Sequence, residues 1–452
     1  MRDVVCIVLA AGLGTRMKSD RPKVLHAAAG RSLLGHVLAA AAALAPRRIV
    51  TVIGPGMDEV AAAARAAVPE VAIATQAERR GTADAVAAAQ GDTAGVAPVT
   101  LVLYGDVPLV RPETLERLVA AVEAGVRLAV LGFEAGDPTG YGRLIVDGDG
   151  RLSAIREELD ASPEERTLTL CNSGLMAVDS ALLWRLLPRI GEANAKNERY
   201  LTDLAGLAAG EGERAAIVRC PQDEVLGVNS RRDLARIEAC FQVRLREAAM
   251  AGGATLVAPE TVFLCHDTRI GRDVVIEPNV TFGPKVTVAD GVVIRSFCHI
   301  EGAEIAVRAV IGPFARLRPG ARIGEGAHIG NFVEVKNSRI AAGAKANHLA
   351  YLGDADVGAG ANIGAGTITC NYDGAAKHRT DIGDNAFIGS NSALVAPVRI
   401  GEGAYIGSGS VITRDVPPDA LGLARARQEV QVGWAARFRA SVAKRRKQGT
   451  AE

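Results

Sequence analysis

DIGDNAFIGSNSALVAPVRIGEGAYIGSGSVI, residues 381–412, carries an aliphatic residue at every sixth position: Ile382, Ile388, Leu394, Ile400, Ile406 and Ile412. A helix repeats at 3.6 residues and an ordinary strand at 2, so neither accounts for six. A triangular coil does, because each short side uses one hexad and turns one aliphatic inward. The same beat runs through Ile270, Ile276, Phe282, Val288, Ile294 and Ile300, and again through Ile311, Leu317, Ile323, Ile329 and Val335. Glycine follows many of these aliphatics, as at Gly271, Gly312, Gly324, Gly330, Gly383, Gly389, Gly401 and Gly407. The expected architecture is a left-handed parallel β-helix of roughly eight coils, about 18 residues each. Each coil stacks its aliphatics on those of the next. Two stretches break the beat: an offset at 299–310, and a polar excursion, TCNYDGAAKHR, at 369–379. A loop thrown out from a rigid solenoid is a candidate functional site.

The first 230 residues follow a different rule. VVCIVLA (4–10), RIVTVIG (48–54), VAIATQ (71–76) and TLVLYGD (100–106) read as buried strands, with helical stretches such as LLGHVLAAAAAL (33–44) between them. That alternation predicts an α/β doubly wound sheet. Further strands are expected at 128–133, 143–147 and 168–178. The expected division is 1–229 for this domain, 230–253 for a charged linker helix ended by Gly252 and Gly253, 254–436 for the β-helix, and 437–452 for a basic, disordered tail.

Of the 452 residues, 52 are basic and 51 acidic, so bulk charge gives no reason to invoke nucleic acid or a membrane surface. No stretch is apolar for long enough to span a bilayer, and the N-terminal apolar run turns directly into a Gly-rich loop. The seven cysteines are scattered and odd in number, which predicts free thiols and a reducing cytoplasm.

The Gly-rich loop LAAGLGTRM (9–17) lies at a strand end. Gly12 and Gly14 allow a tight turn whose N–H groups can face phosphate, and Arg16 and Lys23 add positive charge. Its spacing is neither GxGxxG nor GxxxxGK[ST], and alone it reads equally as an ordinary turn. Asp106 closes another strand at the sheet edge where ligands bind, and can ligate Mg²⁺ or cap the next helix. Gln76, Gly81 and Thr82 sit in a loop suited to a base edge. YGR (141–143), Glu157 and CNSG (171–174) offer hydrogen bonds to a sugar, and Asn229 stands at a further strand end.

These motifs, with RPKVLH, QAERRGTADAV, LYGDVPL, GYGR and EVLGVNSR, resemble the nucleotidyltransferase domain of sugar-1-phosphate uridylyltransferases. Together with the repeat, they resemble the family of bifunctional bacterial N-acetylglucosamine-1-phosphate uridyltransferases/glucosamine-1-phosphate acetyltransferases, over nearly all of residues 4–436. The resemblance implies that Leu9, Ala10 and Gly12 contact uracil and ribose, with Gln76, Gly81 and Thr82 completing the uridine pocket. It implies Lys23 on the phosphates, Arg16 on the leaving pyrophosphate, and Asp106 and Asn229 on Mg²⁺. Gly142, Glu157 and Asn172 would hold the N-acetylglucosamine unit, with Tyr200 and Thr202 nearby. One departure is Leu159, where the family often has Lys.

In the repeat, Arg318, Lys336, His348, Tyr351, Asn362, Asn371, Tyr372 and Lys377 are roughly one coil apart and could stack on one prism face. Singly, His348 also reads as a satisfied surface histidine, and Arg318 and Lys336 as solvated charges. The resemblance implies that His348 is the general base of acetyl transfer. It places Arg318, Lys336, Tyr351, Asn362 and Lys377 on glucosamine 1-phosphate, and Asn371, Tyr372, Ser390, Ser408 and Arg425 on acetyl-coenzyme A. It further implies UTP as co-substrate, small sugar phosphates and nucleotides as the only partners, a homotrimer, and a cytoplasmic location. Two alternatives remain at this stage: a uridylyltransferase with a purely structural solenoid, and a mannose- or glucose-1-phosphate nucleotidyltransferase with another acyl acceptor.

Overall fold

The computed structural model describes residues 1–448, which divide into two compact units. The first is Met1–Ala251 with Phe263–Thr268; the second is Gly252–Val262 with Arg269 onward.

The first unit is built on a mixed sheet. Its strands run in the order Ala215–Arg219, Leu128–Glu134, Leu170–Asp179, Val99–Tyr104, Arg2–Leu9, Pro46–Ile53, Ala72–Thr75. Arg2–Leu9 is parallel to both neighbours, as the alternating pattern requires. Leu170–Asp179 enters antiparallel between Val99–Tyr104 and Leu128–Glu134, so the sheet is not wholly parallel. Val4 through Val8 are fully buried, which is why their run is continuously apolar rather than alternating. Helix Leu33–Ala43 starts at Ser32, whose hydroxyl accepts from Gly35 N at 3.0 Å.

The charged helix Arg231–Ala251 belongs to this unit. Its Ile237, Leu234, Cys240 and Phe241 pack with Met17, Leu33, Leu109 and Val228. His36 stacks on Phe241 with ring centroids 4.1 Å apart, and its Nε2 lies 2.8 Å from the Ala28 carbonyl oxygen. Burial pushes the His36 pKa down to about 4; the Ala28 contact opposes this, and the Arg31 and His266 charges reinforce it. The unfolded chain therefore binds the proton first. Stability present above pH ~6.5 is lost as pH falls toward ~4, by about 2 kcal/mol at pH 5 from this group alone. Thermal unfolding at pH 7 and pH 5 checks this: His36→Gln should show a smaller drop in Tm between the two pH values than the parent. An equal drop would show that another group controls the acid transition.

The second unit is a parallel β-helix of three sheets, one with ten strands and two with eight. One face runs from Thr255–Leu256 through Lys345–His348 to Leu421–Gly422; the second carries Arg316–Leu317, Glu334–Lys336 and Tyr351–Gly353; the third carries Arg322, Arg339 and Asp356. The beat residues point inward: Ile276, Ile294, Ile311, Ile329, Ile388 and Ile406 are fully buried. Each such side chain contributes about 1.5–3 kcal/mol by leaving water. A small or β-branched residue two positions earlier, such as Val292, Ala309, Ala327, Ala386 or Ala404, is buried with it.

The offset at 299–310 is a coil shortened by one residue: His299 pairs with Arg316, whereas Arg316 pairs with Glu334. Gly302 turns that corner at φ +53. At the excursion, Asp356 pairs with Asp381, so the extra residues leave the coil without disturbing the register beyond it. There Tyr372 and Lys377 bridge antiparallel, and His378 N donates to Asn371 O at 2.8 Å.

The tail differs from expectation. Trp434–Gln448 is a helix, consistent with its Ala, Arg, Lys and Gln content and its lack of Gly and Pro. Trp434 and Phe438 stack on its surface at 5.1 Å, both about half exposed. Residues 449–452 of the expected tail lie outside the described residues. All seven cysteines are free thiols, as their spacing predicts. Among the described residues no helix is long and apolar enough to cross a membrane.

Candidate active sites

In the first unit, the C-terminal ends of Arg2–Leu9 and Val99–Tyr104 open into a cavity of about 290 Å³. Leu9, Ala10, Gly12, Lys23, Gln76, Gly81, Thr82 and Asp106 all line it. Gly14 has φ +65, and a Cβ there would collide with Lys23, so the loop needs this glycine to seat the lysine. The Lys23 ammonium pairs with the Asp106 carboxylate and lies 3.3 Å from Asn229 Oδ1. Gln76 is buried, and its amide donates to Gly81 O at 3.0 Å and Asp84 Oδ2 at 3.1 Å, which fixes the side chain. Gly81 (φ +120) lies flat against the Arg199 backbone, and Thr82 Oγ1 accepts from Leu201 N at 2.9 Å.

The sugar-side candidates also converge. Asn172 N donates to Gly142 O at 2.8 Å, and a Cβ on Gly142 would lie 3.5 Å from Glu157 Oε2. Thr202 Oγ1 donates to Glu157 Oε1 at 3.0 Å, while burial pushes the Glu157 carboxyl above the ordinary range. Its neighbour Glu158 is taken up elsewhere, in an ion pair at 2.8 Å with Arg143, which is itself only 1% exposed. Leu159 is exposed. Arg16 stands exposed on the short turn Thr15–Met17, outside the cavity lining.

Mg²⁺ was expected at Asp106 and Asn229. Their side-chain oxygens converge on one cationic atom, Lys23 Nζ. Two hard oxygen donors around a positive centre fit Mg²⁺, which takes its remaining ligands from phosphate and water. Among the described residues no cluster of three or more His, Cys, Asp or Glu could hold a metal by itself.

In the second unit, the candidates do not share one face. Arg318 follows the second-face strand Arg316–Leu317 and Lys336 ends Glu334–Lys336, both on the ridge toward the third face. His348 ends the first-face strand Lys345–His348, so it lies on the opposite ridge of the second face. The reason is arithmetic: Lys336 to His348 is two sides of the triangle, not a full coil. Tyr351 begins the second-face strand between them, paired with Glu334. Asn362 lies on the first face, paired with Lys345 and Phe387. Ser390 and Ser408 follow first-face strands, on the His348 ridge, and Arg425 follows Leu421–Gly422.

His348 Nδ1 lies 2.7 Å from Asn331 Oδ1, its register partner one coil back. A carboxamide oxygen only accepts, so Nδ1 carries the hydrogen and Nε2 presents a lone pair. Across the face, Arg318 donates to Glu334 at 2.8 Å. The Lys377 ammonium, then the Arg318 charge, push the Lys336 amine below its ordinary value. A group of cations that raises its own internal repulsion is prepared for an anion. Asn371 is buried, whereas Tyr372 is exposed with its hydroxyl on Gly374 O at 2.6 Å.

Two family models match the chain: the MobA-like NTP transferase domain over residues 6–248, and the bacterial transferase hexapeptide (six repeats) over 267–302 and 379–414. A bifunctional protein GlmU of Azorhizobium caulinodans is 59% identical over 443 residues, covering 98% of this chain and 99% of the relative. The same-named proteins of Xanthobacter autotrophicus and Zymomonas mobilis are 58% and 53% identical, each with at least 96% of both chains covered. The chain belongs to the bifunctional GlmU family.

Against that membership, several residues of the two sites stand out as unforeseen. Arg79 lines the first cavity and donates to Ala11 O at 2.9 Å, bracing the Gly-rich loop. Tyr104 lines it too, against Gly174, where a Cβ would approach the ring to 2.7 Å; burial holds its hydroxyl protonated. Arg79 stood in the quoted QAERRGT motif, but nothing separated it from a solvated charge. Asn331 could have been found by stepping back one 17-residue coil from His348.

Proposed function

We propose that this GlmU family member makes UDP-N-acetylglucosamine by two transfers, one in each unit. In the β-helix, the amine of glucosamine 1-phosphate attacks the thioester carbonyl of acetyl-coenzyme A. His348 Nε2 accepts the amine proton, the C–S bond breaks, and coenzyme A leaves as the thiol. Arg318, Lys336 and Lys377 hold the sugar phosphate, Tyr351 and Asn362 border the sugar, and Asn371, Tyr372, Ser390, Ser408 and Arg425 hold acetyl-coenzyme A.

In the α/β unit, a phosphate oxygen of N-acetylglucosamine 1-phosphate attacks the α-phosphorus of UTP, and pyrophosphate departs. No protein nucleophile is needed. Gln76, Gly81 and Thr82 fix the uridine, Gly142, Glu157 and Asn172 fix the sugar, and Lys23 with Arg16 neutralises charge on the phosphates. Mg²⁺, when held by Asp106 and Asn229, would supply further charge neutralisation between the phosphates.

The observation that carries the acetyl-transfer reading is the anchored His348. Its Nδ1 is tied to Asn331, its Nε2 has no protein partner among the described residues, and three cations stand on the facing ridge. A purely structural solenoid has no use for that arrangement. An aromatic ladder also supports self-association. Phe297, Phe314 and Phe332 stack at 4.9 and 5.2 Å on one ridge, each about half exposed, and Leu349 continues the row. Covering it in the proposed homotrimer would remove a contiguous apolar strip from water. A cytoplasmic location fits the seven free thiols.

The test is a combined assay. Glucosamine 1-phosphate, acetyl-coenzyme A, UTP and Mg²⁺ should give UDP-N-acetylglucosamine, free coenzyme A and pyrophosphate. Turnover only when N-acetylglucosamine 1-phosphate is supplied ready-made would leave a uridylyltransferase with a structural solenoid.

A further inference from the structure

One buried carboxylate in the second unit has no part in the roles given above. Asp354 follows the strand Tyr351–Gly353 and turns the corner in the left-handed region, at φ +49. It is 9% exposed. One carboxylate oxygen accepts from Asn337 Nδ2 at 2.5 Å, from the coil before, and the other accepts from Asn371 Nδ2 at 2.5 Å, from the coil after. Its backbone is tied the same way, with Asp354 N on Lys336 O at 3.1 Å and Thr380 N on Asp354 O at 3.2 Å. Burial alone would raise this carboxyl, but the two amides and the Lys377 and Lys336 charges outweigh it and hold the group below the ordinary range.

The location is as telling as the contacts. Asn371 opens the excursion from the coil, Tyr372 and Lys377 pair across it, and Thr380 closes it. Asp354 therefore touches the start and the end of the excursion while standing under the coil that carries Lys336. We propose that Asp354 is a positioning residue for acetyl transfer: its carboxylate fixes the Asn371 amide and roots the excursion that presents Tyr372 to the acyl donor. This rests on the reading of Asn371 and Tyr372 as acetyl-coenzyme A contacts. A buried charge-assisted hydrogen bond is strong and directional, so it can set the rotamer of a side chain that an apolar pocket would leave free.

A coil staple and a positioning residue differ in what they change. Asp354→Asn keeps the shape, removes the charge and turns one acceptor into a donor facing a donor. One acceptor oxygen then remains for two donors, so the Asn337 and Asn371 amides compete for it and Asn371 is no longer held in one place. Removing a negative charge beneath Lys336 and Lys377 leaves the phosphate side more positive, so binding of the sugar phosphate should not weaken. The expected result is a KM for acetyl-coenzyme A raised about tenfold and a kcat lowered about tenfold, with the KM for glucosamine 1-phosphate unchanged or lower. Uridylyl transfer from added N-acetylglucosamine 1-phosphate serves as the internal control and stays at the parent level. Asn337→Ala removes the other amide of the same carboxylate without touching the excursion, and should leave acetyl transfer within about twofold.

Equal rises in both KM values with a fall in Tm, or equal losses in Asp354→Asn and Asn337→Ala, would mean a structural staple and overturn the proposal. So would acetyl transfer within twofold of the parent in Asp354→Asn. His348→Ala, run beside them, separates the two levels. If it retains acetyl transfer, the site reading itself fails; if it loses acetyl transfer while Asp354→Asn does not, only the positioning role fails.

Discussion

His348→Ala should lower acetyl transfer by about 10²–10⁴-fold, the usual contribution of a placed acid–base group. Uridylyl transfer from ready-made N-acetylglucosamine 1-phosphate should stay at the parent level. The size follows from the position of the imidazole. Asn331 Oδ1 holds Nδ1 at 2.7 Å, so the ring cannot turn without losing that bond, and the lone pair stays on Nε2. Alanine removes the base and leaves the amine to lose its proton to water. Stability should hardly change, because His348 is exposed and its ring supports no core. Asn331→Ala gives the complementary result. The base remains but its orientation is released, so the loss should be smaller than for His348→Ala. Release of coenzyme A, followed by a thiol reagent, measures both. Acetyl transfer within about tenfold of the parent in His348→Ala would remove the general-base role.

The β-helix was legible because one physical demand, an inward aliphatic on each side of a triangle, repeats at a fixed count. The same count misled where it was applied loosely. Arg318 to Lys336 is one full coil, and the two share a ridge; Lys336 to His348 is two sides, which carries the histidine across the face. The one-residue shortening after His299 was visible only as a break in the beat. Its result is a 17-residue step there. Ile382 onward kept the beat despite the excursion, because the extra residues leave and rejoin at adjacent points of one corner.

In the α/β unit the strand ends were legible as apolar runs stopping at Gly-rich or acidic residues. What could not be read was side-chain company. Lys23 and Asp106 lie 83 positions apart and Lys23 and Asn229 lie 206 apart, yet the three meet at one atom. Arg143 offered no periodic signal either. Within YGR it reads as a hydrogen-bond donor to a sugar, whereas the fold uses it as a buried anchor for Glu158 and for the Arg166 carbonyl at 3.1 Å. Likewise the tail helix was hidden by composition, since a basic stretch without a core reads as disordered although its residues favour a helix once one begins.

Asp106→Ala should have the mirror-image effect of His348→Ala: uridylyl transfer reduced by about 10²–10³-fold, acetyl transfer unchanged. Asp106 carries the negative charge of the cluster with Lys23 and Asn229, and its side chain is 21% exposed, so water screens it only in part. Two consequences of its removal act together. The proposed metal position loses its charged ligand and keeps a neutral carboxamide. The Lys23 ammonium loses its charged partner and keeps only the longer contact to Asn229 Oδ1 at 3.3 Å, so it is held less firmly where the phosphates must lie. Asp106→Asn divides these. It keeps an oxygen within reach of Lys23 but not the charge, so saturation should require more Mg²⁺ than in the parent, with part of the rate recovered at high metal. Pyrophosphate release measured across a Mg²⁺ titration shows the difference as a shifted midpoint for Asp106→Asn and a lowered plateau for Asp106→Ala. An unshifted titration in Asp106→Asn would place the metal elsewhere, and Asp106→Ala within about tenfold of the parent would take the carboxylate out of the uridylyl site.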